Sequence, residues 1–392
     1  MTLREELEIL RGEPIQIWEG DPKGIPCIET SDPELLCKHP VVSVHMITYN
    51  HEPYIREAIE GVMMQKTDFE FELVIGEDCS TDRTREICFE YQKKYPDRIR
   101  VLWGEHNLYR HPHPAGGNAE RNLAHCRGEF IAICEGDDYW IDPLKLQKQV
   151  DVMRQNLSVG ICFCGGVETR TDSKEIARHW NGTAYRHGLI SGREAFMTHC
   201  FGWRYCDVAD NDAMFLYTAT VMLRQRDYDA AINKYDVFSW RLCLGDTTTW
   251  LGVMSLADAY YLSDEVSVYR RVSSGAVLGN MNRVGRDATL VRTYYTMAFL
   301  GVSPEEAYRL WYWSIVAGVL NYAKRGSSSW QRGFAFGQIV DRLSVGKPLK
   351  VRFGLLLARL LLKFGIFKLW TASLPLRLVA VPLPKIDSAC QF

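Results

Sequence analysis

The sequence has almost no excess of charge of either sign. Its 392 residues include 46 Lys and Arg against 48 Asp and Glu, which gives a formal net charge of −2. Proteins that hold nucleic acid through bulk positive charge are strongly basic, so we expect no nucleic-acid partner. The hydrophobic fraction of 47% is that of an ordinary globular protein, and this length predicts roughly two to three domains.

Cysteine pairs at metal-binding or redox spacing are missing too. None of the 12 cysteines belongs to a CxxC pair, which argues against a zinc ribbon and a thioredoxin-type dithiol. The first eleven residues, MTLREELEILR, are charged throughout and do not form a cationic-then-apolar leader. We therefore expect a cytoplasmic protein with reduced, mostly buried thiols.

The carboxy-terminal tail lacks acidic residues. Residues 347–385 contain eight Lys and Arg and no Asp or Glu, and Arg359, Lys363 and Lys368 interrupt the longest apolar stretches. These charges exclude a clean membrane-spanning helix of about 20 apolar residues. Two interpretations of the tail fit equally well: a helix lying on the inner face of an anionic membrane, or a helix packed on the rest of the protein.

Strands and helices alternate four times after Pro40, whereas residues 1–39 show no chemistry. The predicted strands are Val41–Ile47, Phe71–Ile75, Ile99–Trp103 and Phe130–Cys134. This alternation predicts an α/β fold with a Rossmann-like, mostly parallel sheet and helices on both faces. The pattern is less regular after residue 158. Near the carboxyl end, Ser303-Pro304-Glu305-Glu306 predicts a helix start.

Three of the four predicted strands end in polar residues. The clusters are Thr48-Tyr49-Asn50, Glu77-Asp78 and the acidic triplet of Glu135, Asp137 and Asp138. Ligands of open parallel sheets bind beyond the carboxyl ends of the strands. This coincidence is the strongest functional signal in the sequence.

The acidic triplet predicts a divalent metal site. Three carboxylates within four residues repel one another unless a cation or several donors lie among them, and oxygen ligands suit Mg²⁺ or Mn²⁺. The alternative is a solvated acidic turn, but the second acidic strand end favours the metal. Glu77 and Asp78 could accept hydrogen bonds from a base or ribose, or form a turn before the next helix. Their residue types alone leave both interpretations open.

Three segments resemble a known family: VSVHMITYNHEPYIREAIEGVMMQ, FELVIGEDCSTDRTREI and GEFIAICEGDDYWIDPLKLQKQ. They are similar to the amino-terminal half of the glycosyltransferase family 2 enzymes, which have the GT-A fold and use sugar-nucleotide donors. The resemblance is close over residues 40–156 and weaker beyond. It implies a catalytic domain at 40–285, with a nucleotide-binding half at 40–157 and an acceptor half at 158–285, followed by a helical region at 286–392.

The resemblance also implies a role for each polar cluster. The nucleotide of a UDP-, GDP- or dTDP-sugar would be bound or approached by Thr48, Tyr49, Asn50, Glu77, Asp78, Arg121 and Asn122. The DxD-like triplet would bind ribose and the Mg²⁺ or Mn²⁺ ion that bridges the diphosphate: Glu135, Asp137 and Asp138.

A later carboxylate would serve as the catalytic base. By the same resemblance this is Asp246, which would take the proton of the acceptor hydroxyl as its oxygen attacks the anomeric carbon. A helix N-cap is the other interpretation of Asp246, and the two are compatible. Family members often carry Tyr-Arg-x-His afterwards, but residues 269–272 read Tyr-Arg-Arg-Val. Either Arg270 or Arg271 then neutralises the diphosphate, or the metal is held more loosely.

The resemblance thus predicts an inverting hexosyltransferase that acts on a carbohydrate or lipid-linked acceptor in cell-surface polysaccharide synthesis. One alternative is a catalytically degenerate nucleotide- or glycan-binding module, supported only by Val272. A sugar nucleotidyltransferase is a weak alternative because residues 44–52 contain no glycine for a triphosphate loop. A glycoside hydrolase would leave the first two clusters unexplained.

Overall fold

The computed structural model describes residues 1–12, 14–170, 173–180, 186–205, 216–241, 245–272 and 281–307. Its strands are β1 (Ile28–Thr30), β2 (Val42–Thr48), β3 (Phe71–Glu77), β4 (Ile99–Trp103), β5 (Phe130–Ile133), β6 (Tyr139–Trp140), β7 (Val159–Thr169), β8 (Ile176–Trp180), β9 (Gly188–Ile190), β10 (Met222–Arg224) and β11 (Asp258–Tyr269). Its longer helices are α1 (Leu3–Arg11), α2 (Ile55–Met63), α3 (Thr84–Lys94), α4 (Asn118–Ala124), α5 (Lys145–Gln155), α6 (Gly192–Tyr205), α7 (Gln225–Lys234), α8 (Gly245–Met254) and α9 (Met281–Leu300).

All the described strands belong to one sheet whose centre is parallel. The order is β1-β4-β3-β2-β5-β10-β7-β11-β6, with β8 beside β7 and β9 beside β11. The four strands that the sequence predicts are β2 to β5, and they pair in parallel. Beyond them the sheet is mixed, because β10 lies antiparallel to both β5 and β7 whereas β7 and β11 are parallel. The prediction of an α/β fold with a mostly parallel central sheet is confirmed.

Helices cover both faces of the sheet because successive residues of a strand point to opposite sides. On β5, Phe130 and Ala132 join one hydrophobic core, and Ile131 and Ile133 join the other. The first core includes apolar residues of α2, α3 and α5, and the second includes residues of α6 to α9. The helices therefore hold the carboxyl ends of β2, β3 and β5 from two sides.

The amino-terminal segment joins this sheet. Strand β1 pairs antiparallel with β4, where Ile28 lies opposite Trp103. Leu7 of α1 is 1% exposed and packs in the core that includes α9. The segment 1–39, in which the sequence showed no chemistry, thus adds a strand to the sheet beside β4 and packs in the core that includes α9.

The beginning of the predicted carboxy-terminal helical region is helical in the structure. Helix α9 covers Met281–Leu300, and a further turn covers residues 304–307. The Ser303 hydroxyl accepts the Glu306 N–H at 3.3 Å, as a helix cap does. Residues 308–392, including the basic tail at 347–385, lie outside the described residues. Among the described helices, none is both long and apolar enough to cross a membrane.

A buried lysine lies just after the acidic triplet in the chain. Lys145 begins α5, where its ammonium donates to Gln149 Oε1 at 2.8 Å and lies 4.1 Å from the centre of the Trp140 ring. Burial lowers the pKa of Lys145 to about 8. The folded protein therefore releases this proton at lower pH than the unfolded chain does, and the charged lysine destabilises the fold.

We predict that Lys145→Met changes the pH dependence of stability. The unfolded chain binds more protons at Lys145 between pH 8 and about 10.4, so this lysine makes stability rise with pH in that window. The quantity to compare is the unfolding free energy of Lys145→Met minus that of the parental protein. This difference should be about 2 kcal/mol higher at pH 7 than at pH 9.5. Urea unfolding of both proteins at each pH measures it. Lys66→Met, at an exposed position, is the control, and an equal pH dependence in both variants would contradict the prediction.

Candidate active site

The ends of β2, β3 and β5 meet at Thr48. Thr48 lies in register with Glu77, and its carbonyl accepts the Asp78 N–H at 3.0 Å. On the other side, the Gly136 N–H donates to the Ile47 carbonyl at 3.0 Å. A Cβ atom at Gly136 would lie 2.7 Å from Thr48 Oγ1, so a larger residue would displace that side chain. Both acidic clusters therefore flank Thr48.

The acidic triplet forms a compact group of carboxylates. One oxygen from each of Glu135, Asp137 and Asp138 lies within 4.8 Å of the other two. Asp138 is 1% exposed, and its Oδ1 accepts the Arg270 N–H at 2.8 Å. Its Oδ2 is buried and has no hydrogen-bond partner among the described residues.

Burial and neighbouring negative charges oppose the ionisation of two members of the triplet, Glu135 and Asp138. Burial, followed by the charges of Asp137 and Asp246, raises the pKa of Glu135 to about 8. Burial, Asp137 and Glu135 likewise raise the pKa of Asp138 well above its usual range. A cation among these oxygens would favour their ionised forms, so the group has the electrostatics of a cation site.

Arg270, which directly follows β11, contacts the triplet and the residues around it. The Arg270 guanidinium donates to the Asp137 carbonyl at 2.9 Å, forms an ion pair with Glu57 of α2, and lies over the Tyr139 ring at 4.2 Å. Arg270 is 7% exposed. Its guanidinium thus contacts protein groups that hold the triplet, and its predicted contact with the donor remains a prediction. Val272 is buried.

Asp246 lies near enough to the triplet for its charge to act on Glu135. It lies in the first turn of α8, and its charge contributes to the raised pKa of Glu135. Burial raises the pKa of Asp246 itself, opposed by the Thr247 backbone N–H, which Oδ1 accepts at 2.6 Å, and by Arg292 of α9. A carboxylate from α8 is therefore within electrostatic range of the carboxylates that follow β5.

The carboxylates of the second cluster hold neighbouring loops. Glu77 accepts the Ser80 N–H and the Arg85 Nε–H, both at 2.6 Å. Asp78 accepts the N–H groups of Leu108 and Tyr109 at 2.7 and 3.2 Å. Burial nevertheless raises the pKa of Asp78. The turn after β3 and the loop after β4 are thereby tied to the strand end.

The remaining predicted nucleotide residues also make internal contacts. Asn122 donates to the carbonyls of Met46 on β2 and Val74 on β3. Arg121 donates to the Glu77 and Leu102 carbonyls and to Asn118 Oδ1.

Tyr49 and Asn50 lie at the turn after β2. Arg110 lies 5.9 Å from the centre of the Tyr49 ring. Asn50 adopts a positive φ of 53° and accepts the Thr81 N–H at 2.8 Å. The structure thus brings the predicted residues to one end of the sheet, and their contacts with a nucleotide remain predictions.

Two residues near the triplet were missed by the sequence argument. His51 Nε2 lies 3.9 Å from Asp137 Oδ2, and Glu57 forms the ion pair with Arg270. Burial lowers the pKa of His51, opposed by the charges of Asp137 and Asp82. His51 directly follows the Thr48-Tyr49-Asn50 cluster, which was a usable signal. Glu57 and Arg270 are too far apart in sequence for a local pattern to predict their pairing.

Comparison with known proteins finds a family match over part of the chain. Residues 43–213 match the family described as Glycosyl transferase family 2. The chain carries a glycosyl transferase family 2 domain. Within this domain lie the ends of β2, β3 and β5, so the polar clusters belong to the part that carries the match. Asp246 and Arg270 lie beyond the matched residues.

Relatives of this chain align with it over one region. The uncharacterized protein Rv1520 of Mycobacterium tuberculosis is 43% identical over 122 residues, which are 31% of this chain and 34% of that protein. TuaG of Bacillus subtilis, provisionally named a teichuronic acid biosynthesis glycosyltransferase, is 34% identical over 128 residues, 32% of this chain and 46% of that protein. The chain thus spans about a third to a half of the length of these relatives.

A solved structure shares the fold of the family 2 domain. The crystal structure of S. aureus TarS 1-349 in complex with UDP-GlcNAc has a TM-score of 0.50 at 16% identity, over 79% of this chain and 82% of that one. At this identity the similarity concerns the fold. It agrees with the mixed α/β architecture described above.

We predict that Arg270→Met lowers stability whereas Lys174→Met does not. Both cations contact Glu57, but Arg270 is buried and Lys174 is 79% exposed in its side chain. Removing Arg270 should reduce the free energy of unfolding by about 2 kcal/mol, because the Asp137 carbonyl loses its donor, whereas Glu57 is 39% exposed in its side chain and keeps its water. The exposed pair is screened by water. Urea unfolding measures the free energy of unfolding of both variants. Equal losses would contradict the prediction that the buried contacts of Arg270 stabilise the fold more than the exposed ion pair of Lys174 does.

Proposed function

We propose that this chain is an inverting hexosyltransferase that uses a UDP-, GDP- or dTDP-linked sugar and a carbohydrate or lipid-linked acceptor. The observation that carries the proposal is the compact triplet of Glu135, Asp137 and Asp138 together with Asp246 of α8, whose charge acts on Glu135. Residues 40–157 would bind the nucleotide and residues 158–285 the acceptor. The name of the TuaG relative supports cell-surface polysaccharide synthesis as the setting.

The triplet fits a divalent cation. Its donors are carboxylate oxygens, which suit Mg²⁺ or Mn²⁺. Two buried oxygens beside it, Asp138 Oδ2 and Thr48 Oγ1, have no hydrogen-bond partner among the described residues, as expected where a ligand completes the site. Glu135, Asp137 and Asp138 would hold the ion, which when bound supplies charge neutralisation for the diphosphate leaving group.

Asp246 would perform the proton transfer. A general base is most effective when its pKa approaches the working pH, and burial raises the pKa of Asp246 in that direction. The carboxylate would accept the proton of the acceptor hydroxyl as its oxygen attacks the anomeric carbon. Attack from the side opposite the leaving diphosphate inverts the configuration at that carbon.

The nucleotide would lie across the ends of β2 and β3. Thr48, Tyr49 and Asn50 would lie on one side of it, and the buried residues Glu77, Asp78, Arg121 and Asn122 would lie beneath the other side. The internal bonds of Glu77 and Asp78 fix the loops around this edge, so the surface is rigid before the donor binds. We further propose that the enzyme is cytoplasmic; for the basic tail at 347–385, contact with the inner face of the membrane and packing on the rest of the protein both stay open.

A donor panel tests the proposal. Full-length protein is incubated with Mn²⁺ and each of several UDP-, GDP- and dTDP-sugars, and release of nucleoside diphosphate is measured with and without glycan acceptors. Transfer, or slow hydrolysis of one donor, supports the enzyme. Binding of a nucleotide without either reaction would favour a catalytically degenerate module.

We predict that Asp246→Asn preserves donor binding and removes turnover. The amide cannot accept the acceptor proton, so kcat should fall by about 10²-fold or more. Calorimetric affinity for the nucleoside diphosphate should stay within about threefold, because Asp246 would contact the acceptor side. Asp264→Asn, which removes a partly exposed partner of Lys148, makes the same chemical change as a control. Turnover of Asp246→Asn at the parental rate would reject the assignment of the base.

A further inference from the structure

The His51 imidazole lies beside the triplet without a hydrogen bond to it. Its Nε2 is 3.9 Å from Asp137 Oδ2, beyond the range of a direct hydrogen bond. The backbone N–H of His51 donates to Thr84 Oγ1 at 2.8 Å, and the ring packs edge-on near Tyr54. The side chain is 22% exposed. The ring is therefore held in place by neighbours other than Asp137.

The ring also contacts the backbone of the triplet. A Cβ atom at Gly136 would lie 2.9 Å from His51 Nδ1, so the glycine leaves the room that the imidazole occupies. That Nδ1 is buried and has no hydrogen-bond partner among the described residues. Nothing in the described contacts of His51 explains why a polar ring is placed here.

The spacing is compatible with two ligands of one ion. Donors at about 2.1 Å from a common ion can lie no more than about 4.2 Å apart, and the 3.9 Å separation is within that limit. One oxygen from each of the three carboxylates lies within 4.8 Å of the other two, so the same cluster of donors lies around this histidine. Val272, on the β11 side of the triplet, has no ligand atom.

We propose that His51 is a nitrogen ligand of the divalent cation held by Glu135, Asp137 and Asp138. This inference rests on the metal site of the proposed function and adds a fourth side chain, from the turn after β2. An imidazole is a softer ligand than a carboxylate and favours transition metals over Mg²⁺. The site should therefore prefer Mn²⁺ to Mg²⁺.

Electron paramagnetic resonance of bound Mn²⁺ tests the proposal without turnover. The full-length protein, free of any polyhistidine tag, is titrated with Mn²⁺ in the presence and absence of UDP, and electron spin-echo envelope modulation is recorded. The parental protein should show ¹⁴N coupling from an imidazole. His51→Gln should lose that coupling and bind Mn²⁺ at least tenfold more weakly, with a smaller change in affinity for Mg²⁺.

Two further variants keep the outcome decisive. His106→Gln, on an exposed loop, should retain the coupling. His51→Asn replaces His51→Gln if the latter fails to fold by circular dichroism. Parental protein that binds Mn²⁺ without ¹⁴N coupling, or a His51 variant of unchanged affinity, overturns the assignment and leaves the carboxylate site standing. Parental protein that binds no Mn²⁺ with or without UDP overturns the metal site, and the assignment of His51 with it.

Discussion

The repulsion between carboxylates at the end of β5 is the constraint on which the rest of the site depends. Glu135, Asp137 and Asp138 follow a fully buried strand, and burial together with neighbouring negative charge raises the pKa of Glu135 and of Asp138. Two contacts of Arg270 offset this repulsion. Its guanidinium donates to the Asp137 carbonyl, and its backbone N–H donates to Asp138 Oδ1. These contacts hold the group together but leave Asp138 Oδ2 for a ligand.

The carboxylates at the end of β3 differ from the triplet because the protein itself supplies their hydrogen-bond donors. Glu77 and Asp78 are also buried, but each carboxylate accepts hydrogen bonds from the protein, and Glu77 is paired with Arg85. Satisfied buried polar groups make a structure rigid, whereas unsatisfied ones are costly. One edge of the sheet therefore combines a rigid pair of loops with a strained acidic group. Under the proposed function, this division would fix the side that binds the nucleotide and leave the side that binds the metal to be completed by a ligand.

Much of this could be predicted from sequence because the signals are local. The β-branched runs predicted β2 to β5, and the polar residues that follow them predicted the edge where the clusters meet. The pairing of Glu57 with Arg270 joins residues 213 positions apart, so no periodicity reveals it. Likewise the short strand β1 has exposed residues and no alternating pattern, and only tertiary pairing with β4 makes it a strand. His51 needed the three-dimensional position of Asp137, although its place after Asn50 was a hint.

The site also depends on both halves of the chain, which bears on the choice between an enzyme and a degenerate binding module. Strand β6 follows the triplet directly and pairs with β11, where Tyr139 lies opposite Val268. This pairing brings Arg270 beneath the triplet. Asp246 acts electrostatically on Glu135 from α8, which also lies in the second half of the chain. A module that only bound nucleotide would need the ends of β2 and β3, and nothing would select a carboxylate on α8 whose charge raises the pKa of Glu135. That unfavourable placement of Asp246 is explained if the carboxylate acts on an acceptor bound opposite the diphosphate.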